Sequence, residues 1–192
     1  MIKYFFAASM AAGLAIAFLI GGCLADHAAH SESNFGPASS VQEQIKPLVE
    51  QLFLNYKTID GIFHDLQAVA RAHLFQADDA QLNYVQKACL YVQKAALGAY
   101  HQWDILSILE DIRPAALRDY YTLRHKGLLW AAGEIDSDIR FLNLYREFIS
   151  NTTAREDIDQ ALGVMKANRE LYGRMAEIIA PLINKARPDA TL

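Results

Sequence analysis

Cysteine is nearly absent from this chain: Cys23 and Cys89 are the two that occur in 192 residues. A fold stapled by several disulfides is thereby excluded. Basic residues are sparse too, with 18 Lys and Arg against 22 Asp and Glu and no basic block. Mild acidity without a cationic patch argues against nucleic acid and against electrostatic docking on anionic lipid. Motifs of common chemistries are also missing. No Glu-x-x-His occurs, so the paired ligands of a di-iron bundle are lacking. There is no Cys-x-x-Cys-His for covalent haem, no Gly-x-Ser-x-Gly, no phosphate loop and no zinc motif. No helix-pair repeat of about 34 residues runs through the chain, which argues against a repeat array.

What is present begins with the first 23 residues. Met1 to Gly22 holds one charged side chain, Lys3, followed by an apolar run from Tyr4 to Ile20 and then Gly21-Gly22-Cys23. A short cationic start, an apolar core and small residues before a cut describe a secretory signal. The ending Ile20-Gly21-Gly22-Cys23 resembles the lipobox of bacterial lipoproteins. The resemblance implies removal of residues 1–22 and acylation of Cys23, which makes the bilayer itself a partner. Leu24, where an aspartate would favour inner-membrane retention, implies the outer membrane and its periplasmic face. Two alternatives stay open: ordinary cleavage after Ala25, and an uncleaved anchor, since the uncharged run is just long enough to span a bilayer of about 30 Å. Loss of residues 1–22 leaves 17 basic and 22 acidic side chains, a formal charge of −5. With Cys23 acylated, Cys89 has no cysteine left to pair with.

Residues 23–40 read as a lipidated cysteine and flexible tether, and 41–188 as a helical domain. The tether, LADHAAHSESNFGPASS, lacks apolar periodicity and as a flexible coil averages roughly 20–25 Å end to end. His27 and His30 within it read as solvated residues rather than metal ligands.

Beyond the tether the period is helical almost without interruption. Ser40 with Glu43 predicts a capping box, opening a helix that runs to about Phe75. Its stripe is Val41, Ile45, Leu48, Leu52, Tyr56, Ile59, Phe63, Leu66 and Ala70. The second helix, about Asp79 to Ile112, carries two stripes. Leu82, Val85, Cys89, Val92, Ala96, Ala99, Trp103 and Leu106 form one; Tyr84, Ala88, Tyr91, Ala95, Gly98, Ile105 and Leu109 form the other. A third helix opens with Pro114 in its first turn and runs to about Ile149. Leu117, Tyr121, Leu128, Ala131, Ile135, Leu142, Tyr145 and Ile149 form its stripe, and Gly127 and Gly133 threaten its middle. The fourth, about Ala154 to Ala186, is introduced by Thr153 and Glu156 as a second capping box. Its stripe of Ile158, Ala161, Met165, Tyr172, Met175, Ile179 and Leu182 is interrupted by Asn168. Pro47 and Pro181 predict kinks or splaying near the two ends that lie together. Four long helices with short links make an all-α, elongated, up-down-up-down four-helix bundle.

Candidate sites follow from the exceptions to these stripes. Tyr84 and Tyr91 either pack against intramolecular neighbours or form an exposed partner or dimer face, since tyrosine combines area with a polar tip. Arg124, Asp138 and Asn168 occupy stripe positions and are candidates for a polar pocket between helices. The plainer reading of Arg124 and Asp138 is a seam edge with their charged ends in solvent. Cys89 lies on a main stripe and reads as a buried, inert thiol. His73 with Met165 or Met175 is the pairing a non-covalent haem would use, but nothing in the spacing demands it. No cofactor, metal ligand set or catalytic group is expected.

The sequence therefore points first to a membrane-tethered, non-catalytic interaction or accessory module of the cell envelope. Its expected partners are the bilayer through Cys23 and an envelope protein, with a homo-oligomer possible. A small-molecule sensor with its ligand between helices is the second reading, and an enzyme the third.

Overall fold

A computed structural model describes residues 38–76, 79–107 and 117–185. Four helices fall within one compact unit, Gly36–Leu192: α1 (Ala38–Gln76), α2 (Asp79–Ser107), α3 (Leu117–Phe148) and α4 (Thr152–Lys185). The described residues form an all-α four-helix bundle, as the periodicity predicts. The signal and the tether up to residue 37 lie outside the described residues, and so do residues 108–116, which include the predicted end of the second helix. Helix α1 begins at Ala38, so residues 38–40 are helical rather than tether. Ser40 is consequently inside the helix and not its cap.

Helices of 29 to 39 residues extend roughly 45–60 Å at 1.5 Å per residue. Residues 77–78 alone separate α1 from α2, and 149–151 separate α3 from α4, which forces each pair antiparallel. Within the bundle α1 meets α2 and α4, and α3 meets α2 and α4. Across the middle α2 also touches α4, whereas among the described residues α1 and α3 do not meet. Side-chain size explains that short diagonal. The inward face of α2 is built from Val85, Ala88, Val92, Ala95, Ala96 and Ala99, all buried. Small side chains let a helix axis move inward, and the large side chains Met165, Tyr172 and Met175 of α4 fill the space between.

The predicted stripes are the core. Leu52, Ile59 and Leu66 of α1, Leu128 and Leu142 of α3, and Ile158, Met165 and Ile179 of α4 are fully enclosed. Burying each such side chain stabilises the fold by about 1.5–3 kcal/mol. Helix α3 runs unbroken through Gly127 and Gly133, and α1 and α4 remain helical through Pro47 and Pro181. Both prolines are exposed.

The α3–α4 turn corrects one expectation. Asn151, not Thr153, caps α4: its Oδ1 accepts from the Ala154 backbone N–H at 2.9 Å, and its carbonyl accepts from Arg155 N–H. Asn is among the strongest caps, and it satisfies an otherwise orphaned donor of the first turn. Gln81 of α2 clamps the same turn. Its Nε2 donates to the Phe148 carbonyl at 3.0 Å, and its Oε1 accepts from Ser150 N–H at 2.8 Å. One side chain thus satisfies a terminal carbonyl of α3 and ties the start of α2 to the far hairpin. Arg146 with Asp159, and Arg169 with Asp136, lace α3 to α4 on the surface.

Candidate functional site

Surface apolarity is unevenly shared among the helices. Among the described residues eleven large hydrophobic side chains are exposed, nine of them on α2 and α3 and none on α4. A stable bundle needs no such surface, so the α2–α3 side is where contact with something else is to be sought.

The seam between α2 and α3 is built in register, one turn at a time. Tyr84 stacks on Phe148 with ring centroids 5.1 Å apart. Lys87 places its ammonium 5.4 Å from the Tyr145 ring centre. Tyr91 stacks on Phe141 at 5.5 Å and tilts against Tyr145 at 5.7 Å. Lys94 then donates to Asp138 at 2.9 Å and to Glu134 at 3.0 Å. The next turn up holds Gly98 on α2 and Ala131 on α3, whose side chains are too small to close the gap. An open groove of about 500 Å³ results, with Leu90 and Leu97 on one rim, Trp130 on the other and the buried ring of Tyr172 among its lining residues. Leu90 is 60% exposed, Leu97 51% and Trp130 67%. Gln102 also lines it, its Oε1 buried without a hydrogen-bond partner in the chain.

Electrostatics at the groove come from one triad. Asp138 is only 4% exposed, so the expected seam-edge position with its head in solvent is not observed for this residue. It is buried because the Lys94 ammonium crosses the seam to reach it. Hydrogen bonding to Asp138, and then to Glu134, raises the Lys94 pKa above the ordinary lysine value. The Tyr91 hydroxyl is also raised, first by desolvation and then by the neighbouring Tyr145 and Asp138. Burial likewise pushes the Tyr172 phenol upward. These groups are held un-ionised or paired.

The other sequence-derived candidates are placed as follows. Tyr84 and Tyr91 are half-buried in the aromatic seam, against α3 side chains of their own chain. Arg124 lies with its guanidinium 5.9 Å over the Tyr120 ring, fourteen residues and thus about 21 Å along α3 from Asp138. Asn168 is fully buried and accepts from Asn55 Nδ2 of α1 at 2.7 Å. Arg124, Asp138 and Asn168 each have a different partner, and no contact joins them. His73 is buried with both ring nitrogens unpartnered. Cys89 is buried, and desolvation pushes its thiol up to about 12. Among the described residues no group of His, Cys, Asp and Glu is arranged to hold a metal ion.

Sequence reasoning did not single out the second stripe of α3. Leu123, Trp130, Phe141, Leu144 and Phe148 recur at heptad-related steps and are all exposed. They fall within an arc of about 60° on the helix, turned toward the α2 side. The signal was legible in the spacing, but the inward stripe of the same helix is richer in aliphatic residues and dominates the pattern.

Comparison with protein families, with curated proteins and with solved structures returned no match. The class defined by fold and surface is a four-helix bundle with one apolar, grooved side.

Proposed function

We propose that this protein is a lipid-anchored, periplasm-facing module of a bacterial envelope that acts by contact rather than turnover, with the α2–α3 side as its docking face. The single observation that carries the docking face is the segregation of exposed apolar side chains: seven of the eleven lie along the α2–α3 side and α4 holds none, Tyr100 of α2 turning instead to Tyr56 of α1. An apolar centre around Trp130 with Lys94 and Glu134 at its edge has the character of a protein-binding patch, where aromatic anchors sit within a polar rim. The anchor rests on the lipobox resemblance at Cys23. No helix among the described residues is long and apolar enough to cross a membrane.

Two measurements test this reading. Mass spectrometry of the mature N-terminus from the native host is expected to find an acylated Cys23; an unmodified Cys23 thiol refutes the anchor. A photo-crosslinking amino acid placed at Leu97 or Trp130 in intact cells is expected to trap protein adducts, whereas one on the outer face of α4, at Lys166, is not. Equal trapping at all three positions refutes the docking face. The ligand-binding alternative loses its sequence-derived set of polar groups, because Arg124 lies about 21 Å along α3 from Asp138.

A further inference from the structure

We infer that the α2–α3 face takes a second copy of this chain, in a two-fold dimer whose axis runs parallel to the helices. This rests on the docking-face reading and names its occupant. Three observations carry it.

The first is area. Leu90, Leu97, Leu123, Trp130, Phe141, Leu144 and Phe148 are each between 44% and 67% exposed. Together they leave on the order of 700 Å² of apolar surface in water, close to the roughly 800 Å² that one partner brings to a standard interface.

The second is self-complementarity at one height. The register of the seam, with Tyr84 beside Phe148, Lys87 beside Tyr145 and Lys94 beside Asp138, places Trp130 level with the groove it borders. A two-fold axis parallel to the helices lays α2 of one copy on α3 of the other at that same height. Trp130 of the partner subunit then faces the groove left open at Gly98, and the exchange is reciprocal, as an isologous contact requires.

The third is orientation. The parallel axis leaves both α1 N-termini at the same end, as two chains tethered in one membrane need, whereas an axis perpendicular to the helices sets them at opposite ends.

The test uses the full-length chain in detergent micelles, its mass read by sedimentation equilibrium. Two substitutions separate docking from folding. Trp130→Lys removes the exposed knob. Gly98→Trp fills the groove from a position where an added Cβ meets no atom within 4 Å. The unaltered chain is expected to sediment as two copies. Each variant is expected to halve that mass while keeping its helical circular dichroism. Differently tagged copies carrying Leu97→Cys and Ser137→Cys are expected to cross-link to each other in membranes. A single-copy mass for the unaltered chain, or a dimer that survives both substitutions, overturns the proposal. A single-copy chain that still captures an envelope protein through Trp130 sinks the dimer and spares the docking face. Uniform photo-adducts over α4 and the groove sink the docking face and, with it, this assignment of its occupant.

Discussion

Replacing the buried amide pair between α1 and α4 separates what a polar core contact contributes from what its loss costs. Asn168 is 0% exposed, and its Oδ1 accepts from Asn55 Nδ2 at 2.7 Å; Asn55 Oδ1 in turn accepts from Gln51 at 2.9 Å. The Asn168 Nδ2 donor has no partner among the described residues, so the pair is only partly satisfied. Asn168→Leu conserves volume but orphans the Asn55 donor, at an expected cost of about 1–3 kcal/mol. Asn55→Leu removes the donor and leaves Asn168 with no partner at either end, for a similar cost. The double variant leaves no unpaired amide, and Gln51 is exposed and free to bond water. It is expected to lie within about 1 kcal/mol of the unaltered protein, or above it. Chemical denaturation of the four proteins, followed by far-ultraviolet circular dichroism, reads the coupling directly. In a unit of this size each kcal/mol moves Tm by about 2–4 °C. Additive losses, with the double variant as weak as the two singles combined, refute the claim that the amides hold each other. Among the described residues no other buried amide pair joins α1 to α4, so a secondary role is to fix the sliding register of those helices. The double variant is accordingly expected to lose near-ultraviolet dichroism even where its stability is kept.

Further outcomes follow from individual sites. Asp157 has a carboxyl raised above 3.8, first by burial and then by Asp65 and Glu156. A raised acid is destabilising at neutral pH, and that penalty fades as pH falls through its folded pKa. Asp157→Asn is therefore expected to raise Tm at neutral pH, with the gain vanishing in acid; a pH-independent gain refutes the cause. Asp159, two residues on, has the opposite sign: the Arg146 hydrogen bond holds it below 3.8. Its contribution, small because the pair is exposed, is present above that value and lost as pH falls through the folded pKa, so Asp159→Asn is expected to flatten the acid limb of a Tm–pH curve. Gly163 is exposed inside α4, where an added Cβ meets nothing within 4 Å. Gly163→Ala is expected to stabilise by about 0.5–1 kcal/mol in denaturant titration, and a loss refutes the open geometry. The Cys89 thiol, pushed up to about 12 by burial, is expected to resist maleimide in the folded chain and react once it is unfolded; labelling of the native protein at the rate of a free thiol refutes its burial.

The legibility of this fold varies from element to element for physical reasons. Stripe residues such as Leu52, Val92, Leu142 and Ile158 were found because helical burial repeats every three or four residues, and all four are enclosed. Helix ends were less legible. Thr153 with Glu156 satisfies a capping pattern, but Asn151 lies two residues earlier and its short side chain reaches Ala154 N–H. Two adequate caps compete there, and the backbone path of the turn selects one. The fate of Asp138 was not written in its own neighbourhood at all. Its burial depends on Lys94, forty-four residues away, arriving at hydrogen-bond distance.

The amino-acid order by itself determined that the described residues are helical, that they form four long helices, and which face of each is apolar. Period and composition are local properties, and a helix reports them wherever it is placed. Which apolar faces are covered was decided by tertiary structure alone. Small residues on α2 draw it toward α4, aromatic stacks close one half of the α2–α3 seam, and Gly98 opposite Ala131 leaves the other half open. Burial is a relation between elements, so the same apolar side chain becomes core at Leu128 and exposed rim at Trp130 according to whether a neighbour reaches it.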